Sequence, residues 1–150
     1  MYVKEFYPKF EEKLKYFFRL RKYPGENFDL VAKTLNKIGI KTPKIIEYSK
    51  YKVVMEELKG VLLSEYLDEN KDSVVIEKFL NLIIKILKNK IYHSDFAPRN
   101  FLIKDGEIFA IDLEDYMVGV ITLKTKEELH KRLKKALRND EWVRYIEDRL

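Results

Sequence analysis

Two apolar runs, Phe101-Leu102-Ile103 and Ile108-Phe109-Ala110-Ile111, flank Lys104-Asp105-Gly106-Glu107, and no other stretch leaves the backbone so little choice. Aromatic and β-branched residues favour strands, and Asp-Gly accepts positive φ at both central positions of a two-residue turn. The spacing predicts a tight hairpin. Asn100 enters its first strand and Asp112 leaves its second, so an amide and a carboxylate come to the same end. Two oxygen donors at adjacent strand ends suit Mg²⁺, which takes few protein ligands and completes its shell with water and phosphate.

Just upstream, Ile91-Tyr-His-Ser-Asp-Phe-Ala-Pro-Arg-Asn100 places His93, Asp95 and Asn100 in the order H-x-D-x-x-x-x-N. Phosphoryl transfer from ATP needs this set: one carboxylate to orient the attacking hydroxyl, and a carboxylate with an amide to hold Mg²⁺ against the phosphates. The plain alternative is that Asp95 and Asn100 are turn residues and Asp112 caps a strand end. His93 reads as a brace for the loop. His130 is the only other histidine, which argues against a multi-histidine metal site.

The 150 residues suffice for one domain with a real core. A composition of 46% hydrophobic and 37% charged residues is that of an ordinary globular protein, not a disordered one. With no cysteine, disulfide and thiolate chemistry are excluded. No signal peptide or membrane span is expected. The longest apolar stretch, Phe79 to Leu87, is broken by Asn81 and Lys85, so a cytoplasmic location is expected. The net charge of +5 is uneven: residues 1–41 carry ten Lys/Arg against five acids, residues 42–123 eleven against fourteen, and residues 124–150 nine against six. A slightly acidic middle suits Mg²⁺. The basic ends could face an anionic substrate, nucleic acid or a membrane surface, or be solvated lysine faces; nucleic acid is not the favoured partner.

Along the chain, Tyr2 to Phe6 reads as a strand and Pro8 to Tyr23 as a helix with an aromatic, basic face, ended by Pro24-Gly25. Glu26 to Ile38 reads as a helix with Phe28, Val31, Leu35 and Ile38 on one stripe. Lys44–Tyr48 and Lys52–Met55 are expected strands, Leu62–Leu67 a short helix, and Val74–Lys88 a long helix capped by Ser73. Thr125-Lys-Glu-Glu128 has capping-box spacing and should open a basic helix to about Arg138; Asp140 should cap the last one.

The motif segment resembles the catalytic and metal-binding segments of the protein-kinase-like superfamily. Asp95 matches the catalytic Asp, Asn100 the catalytic-loop Asn, and Asp112 the first residue of the Asp-Phe-Gly motif. The element order matches a kinase-like fold from the third small-lobe strand onward, over roughly residues 2–116. The chain resembles the small lipopolysaccharide core heptose kinases, which share an element like Gly39-Ile40-Lys41-Thr42-Pro43, and more distantly the RIO and tRNA-modification-associated kinases. The resemblance implies a single α+β domain over residues 1–150, a minimal protein-kinase-like fold. It would have a truncated small lobe to about residue 58 and a short, mainly helical large lobe from about 59. It also implies ATP and Mg²⁺ as cofactors.

Site residues carry over position by position. Lys4 matches the strand lysine that contacts the ATP phosphates, with Glu26 its expected partner and Glu11 and Glu12 as rivals. Val53-Val54-Met55-Glu56-Glu57-Leu58 resembles the strand and hinge that bind adenine, with Met55 at the back of the pocket and backbone groups of Glu56 and Leu58 facing the base. Asn100 and Asp112 would hold Mg²⁺, Asp95 would accept the hydroxyl proton, and His93 would support the loop. There are departures. Ala97 stands where protein kinases usually carry Lys, and Leu113-Glu114 follows Asp112 in place of Phe-Gly. The strands of the Gly-rich loop would precede Lys4, where only three residues stand, and no Ala-Pro-Glu segment follows Asp112.

The expected function is ATP- and Mg²⁺-dependent phosphorylation of a hydroxyl of a sugar or another small molecule. A partner protein covering the nucleotide is one way to complete the site. The alternatives are a kinase-like binding or regulatory module with little turnover, a protein kinase acting on a protein hydroxyl, or, less favoured, a metal-dependent phosphoesterase using Asp95, Asp112 and Glu114. Tyr92, Phe96, Arg99, Tyr116 and Trp142 are candidate acceptor contacts, with core packing the commoner role for each aromatic.

Overall fold

A computed structural model describes residues 1–18, 21–119 and 125–150. Strands β1 (Tyr2–Glu5), β2 (Ile45–Ser49) and β3 (Lys52–Met55) form an antiparallel sheet in the order β1-β3-β2. Lys4 stands opposite Val53 in it. Between β1 and β2 run helices α1 (Phe10–Phe17) and α2 (Pro24–Lys37). Helix α1 is shorter than the expected Pro8–Tyr23; Arg19 and Leu20 lie outside the described residues. Helix α2 starts two residues before Glu26, because Pro24 at the first turn has its φ preset and no N–H to lose. Gly25 is required there. A Cβ on it would fall 1.7 Å from the Ser49 carbonyl oxygen, and its N–H donates to the Lys50 carbonyl at 3.0 Å. The start of α2 thus sits directly on the β2–β3 turn.

The rest of the chain is strand β4 (Val61–Leu62), helices α3 (Leu63–Glu69) and α4 (Ser73–Lys88), strands β5 (Ile91–His93), β6 (Phe101–Lys104), β7 (Glu107–Ala110) and β8 (Tyr116–Val118), and helices α5 (Lys126–Leu137) and α6 (Asp140–Glu147). One 3-10 turn, Pro98–Asn100, leads into β6, and another, Leu113–Asp115, into β8. The hairpin forms as expected: Asp105 and Gly106 have φ of 50° and 74°, and Phe101 pairs with Ala110. Strand β4 extends it on the β6 side. Strands β5 and β8 pair, with His93 opposite Tyr116, and bracket the whole segment from the His93 loop to Asp112. The short strands β4, β5 and β8 were not anticipated; two or three residues are too few to show a period.

Two helix caps differ from expectation by one residue. Asp72, not Ser73, caps α4, its carboxylate accepting from the N–H groups of Val74 and Val75. Asn139, not Asp140, caps α6, accepting from the Trp142 N–H. The cap must stand outside the first turn in extended backbone, as both do. Thr125 caps α5 as expected, accepting from the Glu128 N–H. One core joins these parts. Phe28, Val31 and Leu35 of α2 share it with Phe79, Ile83 and Ile86 of α4 and with Phe101 and Leu113. No helix among the described residues is long and apolar enough to cross a membrane.

Candidate active site

The hairpin and the β5–β8 pair set the site's frame. The Ile111 N–H donates to the Asn100 carbonyl at 3.2 Å, so Asn100 and Asp112 meet at the open end of the hairpin. The other side of that end is held by the Gly39–Pro43 element, where the Ala110 N–H donates to the Lys41 carbonyl at 2.9 Å. Asp112 itself is left-handed, with φ of 55° and ψ of 50°. Asp tolerates that region better than most side chains. The turn swings its carboxylate out of the hairpin towards β1, which the pairing register alone would not do.

The His93–Asn100 loop is clamped around Asp95. The Asp95 N–H donates to Nδ1 of His93 at 2.8 Å, and Nδ2 of Asn100 donates to the Asp95 carbonyl at 2.9 Å. Both bonds use the Asp95 backbone, so the loop fixes where the carboxylate stands. Its Oδ1 accepts from the Ala97 N–H at 3.3 Å, and its Oδ2 is paired with Nη2 of Arg99. His93 is buried, with the Tyr116 ring 4.4 Å away centroid to centroid. Burial holds its pKa below the ordinary histidine value, against the pull of Asp115, Asp95 and Asp112. A neutral ring accepting at Nδ1 carries its proton on Nε2. His93 is thus tied to the loop backbone at Asp95.

Lys4 reaches the same place from β1. Its ammonium is 2.6 Å from Oδ1 of Asp112 and is paired with Oε1 of Glu114 as well. This corrects the expected Lys4–Glu26 pair. Glu26 lies on the first turn of α2, and its ion pair with Lys4 is not among those of the described residues. The rival Glu12 accepts from the Lys9 N–H at the start of α1 instead. The carboxylate that meets Lys4 comes from the 3-10 turn after Asp112, because Asn27 pins that turn. Nδ2 of Asn27 donates to the carbonyls of Glu114 at 3.0 Å and Tyr116 at 2.9 Å. Burial lowers the Lys4 pKa, but bonds to two carboxylates outweigh it and hold the ammonium above its ordinary value. Burial raises the Glu114 carboxyl against the opposing pull of Lys4. Its side chain is 18% exposed, against 43% for Asp112.

A cavity of about 270 Å³ opens between β1 and the hinge. Lys4, Met55, Glu56, Leu58 and Asp112 all line it, so five of the expected nucleotide-site residues share one wall set. Met55 is buried, while Glu56 faces solvent. The Glu56 N–H donates to the Lys44 carbonyl at 2.9 Å. The cavity's apolar lining, from Phe28, Pro43, Leu62 and Leu102, suits a flat ring system.

The donor set at the hairpin end fits Mg²⁺. The Asn100 amide nitrogen is committed to Asp95, so its oxygen is the atom left to face a cation at the hairpin end that Asp112 shares. Among the described residues no group of three or more His, Cys, Asp or Glu side chains could hold a metal ion. A cation here would share its shell with phosphate and water. Among the described residues, Asp95, Asp112 and Glu114, the trio expected for a phosphoesterase, form no three-membered metal-holding group: Arg99 pairs with Asp95, while Asp112 and Glu114 both meet Lys4. Asn27 and the partnership of Glu114 with Lys4 escaped the sequence reading. The one signal was the carboxylate two residues after Asp112.

The chain is similar to several known proteins. The family model of the RIO domain matches residues 28–139. The serine/threonine-protein kinase rio2 of Dictyostelium discoideum is 31% identical over 98 residues, 65% of this chain and 18% of that protein. A probable bifunctional tRNA threonylcarbamoyladenosine biosynthesis protein of Methanospirillum hungatei is 33% identical over 76 residues, 51% of this chain and 14% of that protein. The EKC/KEOPS complex subunit BUD32 of Enterocytozoon bieneusi is 24% identical over 137 residues, 77% of this chain and 64% of that protein. The chain thus spans less than a fifth of the first two relatives and just under two thirds of the third. Among solved structures, the Rio2 kinase–ADP/Mg²⁺–phosphoaspartate complex of Chaetomium thermophilum superposes with a TM-score of 0.61 at 15% identity, over 78% of this chain and 36% of that one. The minimal kinase-like α+β fold is therefore the fold observed.

Proposed function

The chain belongs to the RIO domain family, and from that premise we propose that it is an ATP- and Mg²⁺-dependent phosphotransferase acting on a hydroxyl. The observation that carries this reading is the position of Lys4. Its ammonium bridges the cavity that Met55, Glu56 and Leu58 line and the carboxylate at the hairpin end. That is where the adenine and phosphate ends of one nucleotide would lie. The names of the relatives support it: one is a serine/threonine-protein kinase, and one solved complex contains ADP and Mg²⁺.

Each residue has a role in this reading. Met55 backs the adenine, and the Glu56 carbonyl and Leu58 N–H face its edge. Lys4 offsets phosphate charge, and Glu114, in place of Glu26, fixes its direction. Asn100 and Asp112 would hold Mg²⁺, which would offset the charge of the phosphates when bound. Asp95 orients the acceptor hydroxyl and takes its proton. The acceptor oxygen bonds to the γ-phosphorus as the bond from that phosphorus to the β–γ bridging oxygen breaks, leaving ADP. His93 keeps Asp95 in place. With Mg²⁺ bound, Asp112 would be the metal's carboxylate, and the less exposed Glu114 would remain the partner of Lys4.

The sheet of β1–β3 with α1 and α2, to about residue 58, forms a small lobe and the remainder a short large lobe. The acceptor is a small molecule, such as a sugar, or a protein hydroxyl, and a partner protein is one way to complete the nucleotide site. The test is transfer of labelled γ-phosphate from ATP to a panel of sugars, polyols and proteins, with Asp95→Ala as control. Label in an acceptor that Asp95→Ala abolishes supports the reading. Mg²⁺-dependent cleavage of phosphodiesters without ATP would contradict it.

A further inference from the structure

Asp95 is the group an acceptor hydroxyl must reach, and both of its oxygens are engaged. Oδ1 accepts from the Ala97 N–H at 3.3 Å, and Oδ2 carries the Arg99 guanidinium. The two engagements differ in kind. Ala97 is buried and its N–H belongs to the loop backbone, so Oδ1 is fixed. Arg99 is a long side chain, 60% exposed, on a carboxylate that is 31% exposed. The backbone of Asp95 is held by His93 on one side and Asn100 on the other, so Arg99 is the partner that can leave.

We propose that Arg99 is an anion-responsive latch, and that the acceptor carries an anionic group, a phosphate or carboxylate, a few bonds from its hydroxyl. The proposal rests on the kinase reading above. A neutral alcohol offers Arg99 nothing in exchange for the Asp95 carboxylate. An anion does, because a guanidinium binds phosphate or carboxylate through two parallel hydrogen bonds. The pair to be broken is an exposed one, of the kind that contributes little. Arg99 then moves from Asp95 to the acceptor, Oδ2 is freed for the hydroxyl proton, and the guanidinium holds the acceptor beside it. One exchange both admits the substrate and exposes the base.

Placement separates this role from nucleotide binding. Lys4 and Asp112 line the cavity below the hinge, and neither Asp95 nor Arg99 does. Lys4 is occupied with Asp112 and Glu114. Among the ion pairs of the described residues, Arg99 is the cation joined to Asp95, one position before the metal-binding Asn100.

The probe is phosphite, a small dianion that supplies the charge without the acceptor, with acetate as the carboxylate arm. ATP hydrolysis with water as acceptor is measured in the wild type and in Arg99→Ala and Arg99→Lys. Phosphite or acetate is expected to raise the wild-type rate several-fold, whichever does so naming the anion. Arg99→Ala is expected to lose that response without losing MgATP binding, and Arg99→Lys to recover part of it. Nitrogen-15 NMR of the arginine side chains reads the latch without turnover. The Arg99 guanidinium signal, identified by its loss in Arg99→Lys, should shift on adding phosphite or acetate, and Asp95→Ala should shift it the same way with neither added. An Arg99 signal unmoved by tens of millimolar of either anion overturns the latch, as does equal activation of wild type and Arg99→Ala. Failure of MgATP to bind at all would instead remove the kinase reading beneath it.

Discussion

The Lys4 ammonium stands 2.6 Å from Oδ1 of Asp112 across 108 positions of sequence. Lys4 leaves an edge strand of one sheet, and Asp112 leaves a hairpin of another in a left-handed turn. Their meeting joins the cavity under the hinge to the oxygen donors at the hairpin end, and Glu114 completes it from two residues on.

Glu114, not Glu26, should orient Lys4. Glu114→Gln removes a charged partner from a largely buried ammonium, a loss of about 1.5–3 kcal/mol, which is roughly ten- to a hundredfold in kcat/KM for ATP. Glu26→Gln should change it little. Steady-state kinetics of the two variants side by side checks this, with Glu114→Asp expected to recover part of the loss.

Asp95→Asn keeps the backbone clamp of His93 and Asn100 but removes the carboxylate proposed as the base. Phosphoryl transfer should fall by roughly 10²- to 10⁴-fold in kcat, with MgATP affinity nearly unchanged. Single-turnover transfer and a binding titration on the same preparation separate the two quantities.

Asn27 ties α2 to the turn that carries Glu114 through two carbonyls. Asn27→Ala leaves both part-buried acceptors without that donor, which should cost about 1–3 kcal/mol of stability by urea unfolding. Activity should fall as well, because the turn that aims Glu114 loses its anchor.

His93 predicts how stability depends on pH. Burial depresses its folded-state pKa below the ordinary 6.5. Between the two values the unfolded chain binds more protons, so stability rises with pH there. The contribution is fully present above about 6.5 and is lost as pH falls through the folded value. His93→Gln should flatten that part of the pH–stability curve, measured by urea unfolding from mildly acidic to neutral pH.

Much of the site was legible because it is local. Asp-Gly dictates the hairpin, and the hairpin brings Asn100 and Asp112 together whatever surrounds them. The strand with Lys4 and the hinge from Met55 to Leu58 were readable by pattern, and they line one cavity. The partner of Lys4 was not readable, because it depends on two things the local sequence does not show. One is the left-handed turn at Asp112, and the other is the reach of Asn27 to carbonyls 87 and 89 positions away. The caps slipped by one residue because Asp72-Ser73 and Asn139-Asp140 each offer two capping side chains in a row. The resemblance set heptose kinases ahead of RIO kinases, and the matching family is the RIO domain.

The most direct test is calorimetric titration of the protein with ATP, with and without Mg²⁺, beside Asp112→Ala. The account predicts binding that requires Mg²⁺ and collapses in the variant, since Asp112 is the partner of Lys4 and would be the metal's carboxylate. ATP that fails to bind at millimolar concentration, or that binds equally well without Mg²⁺ and in Asp112→Ala, would contradict it.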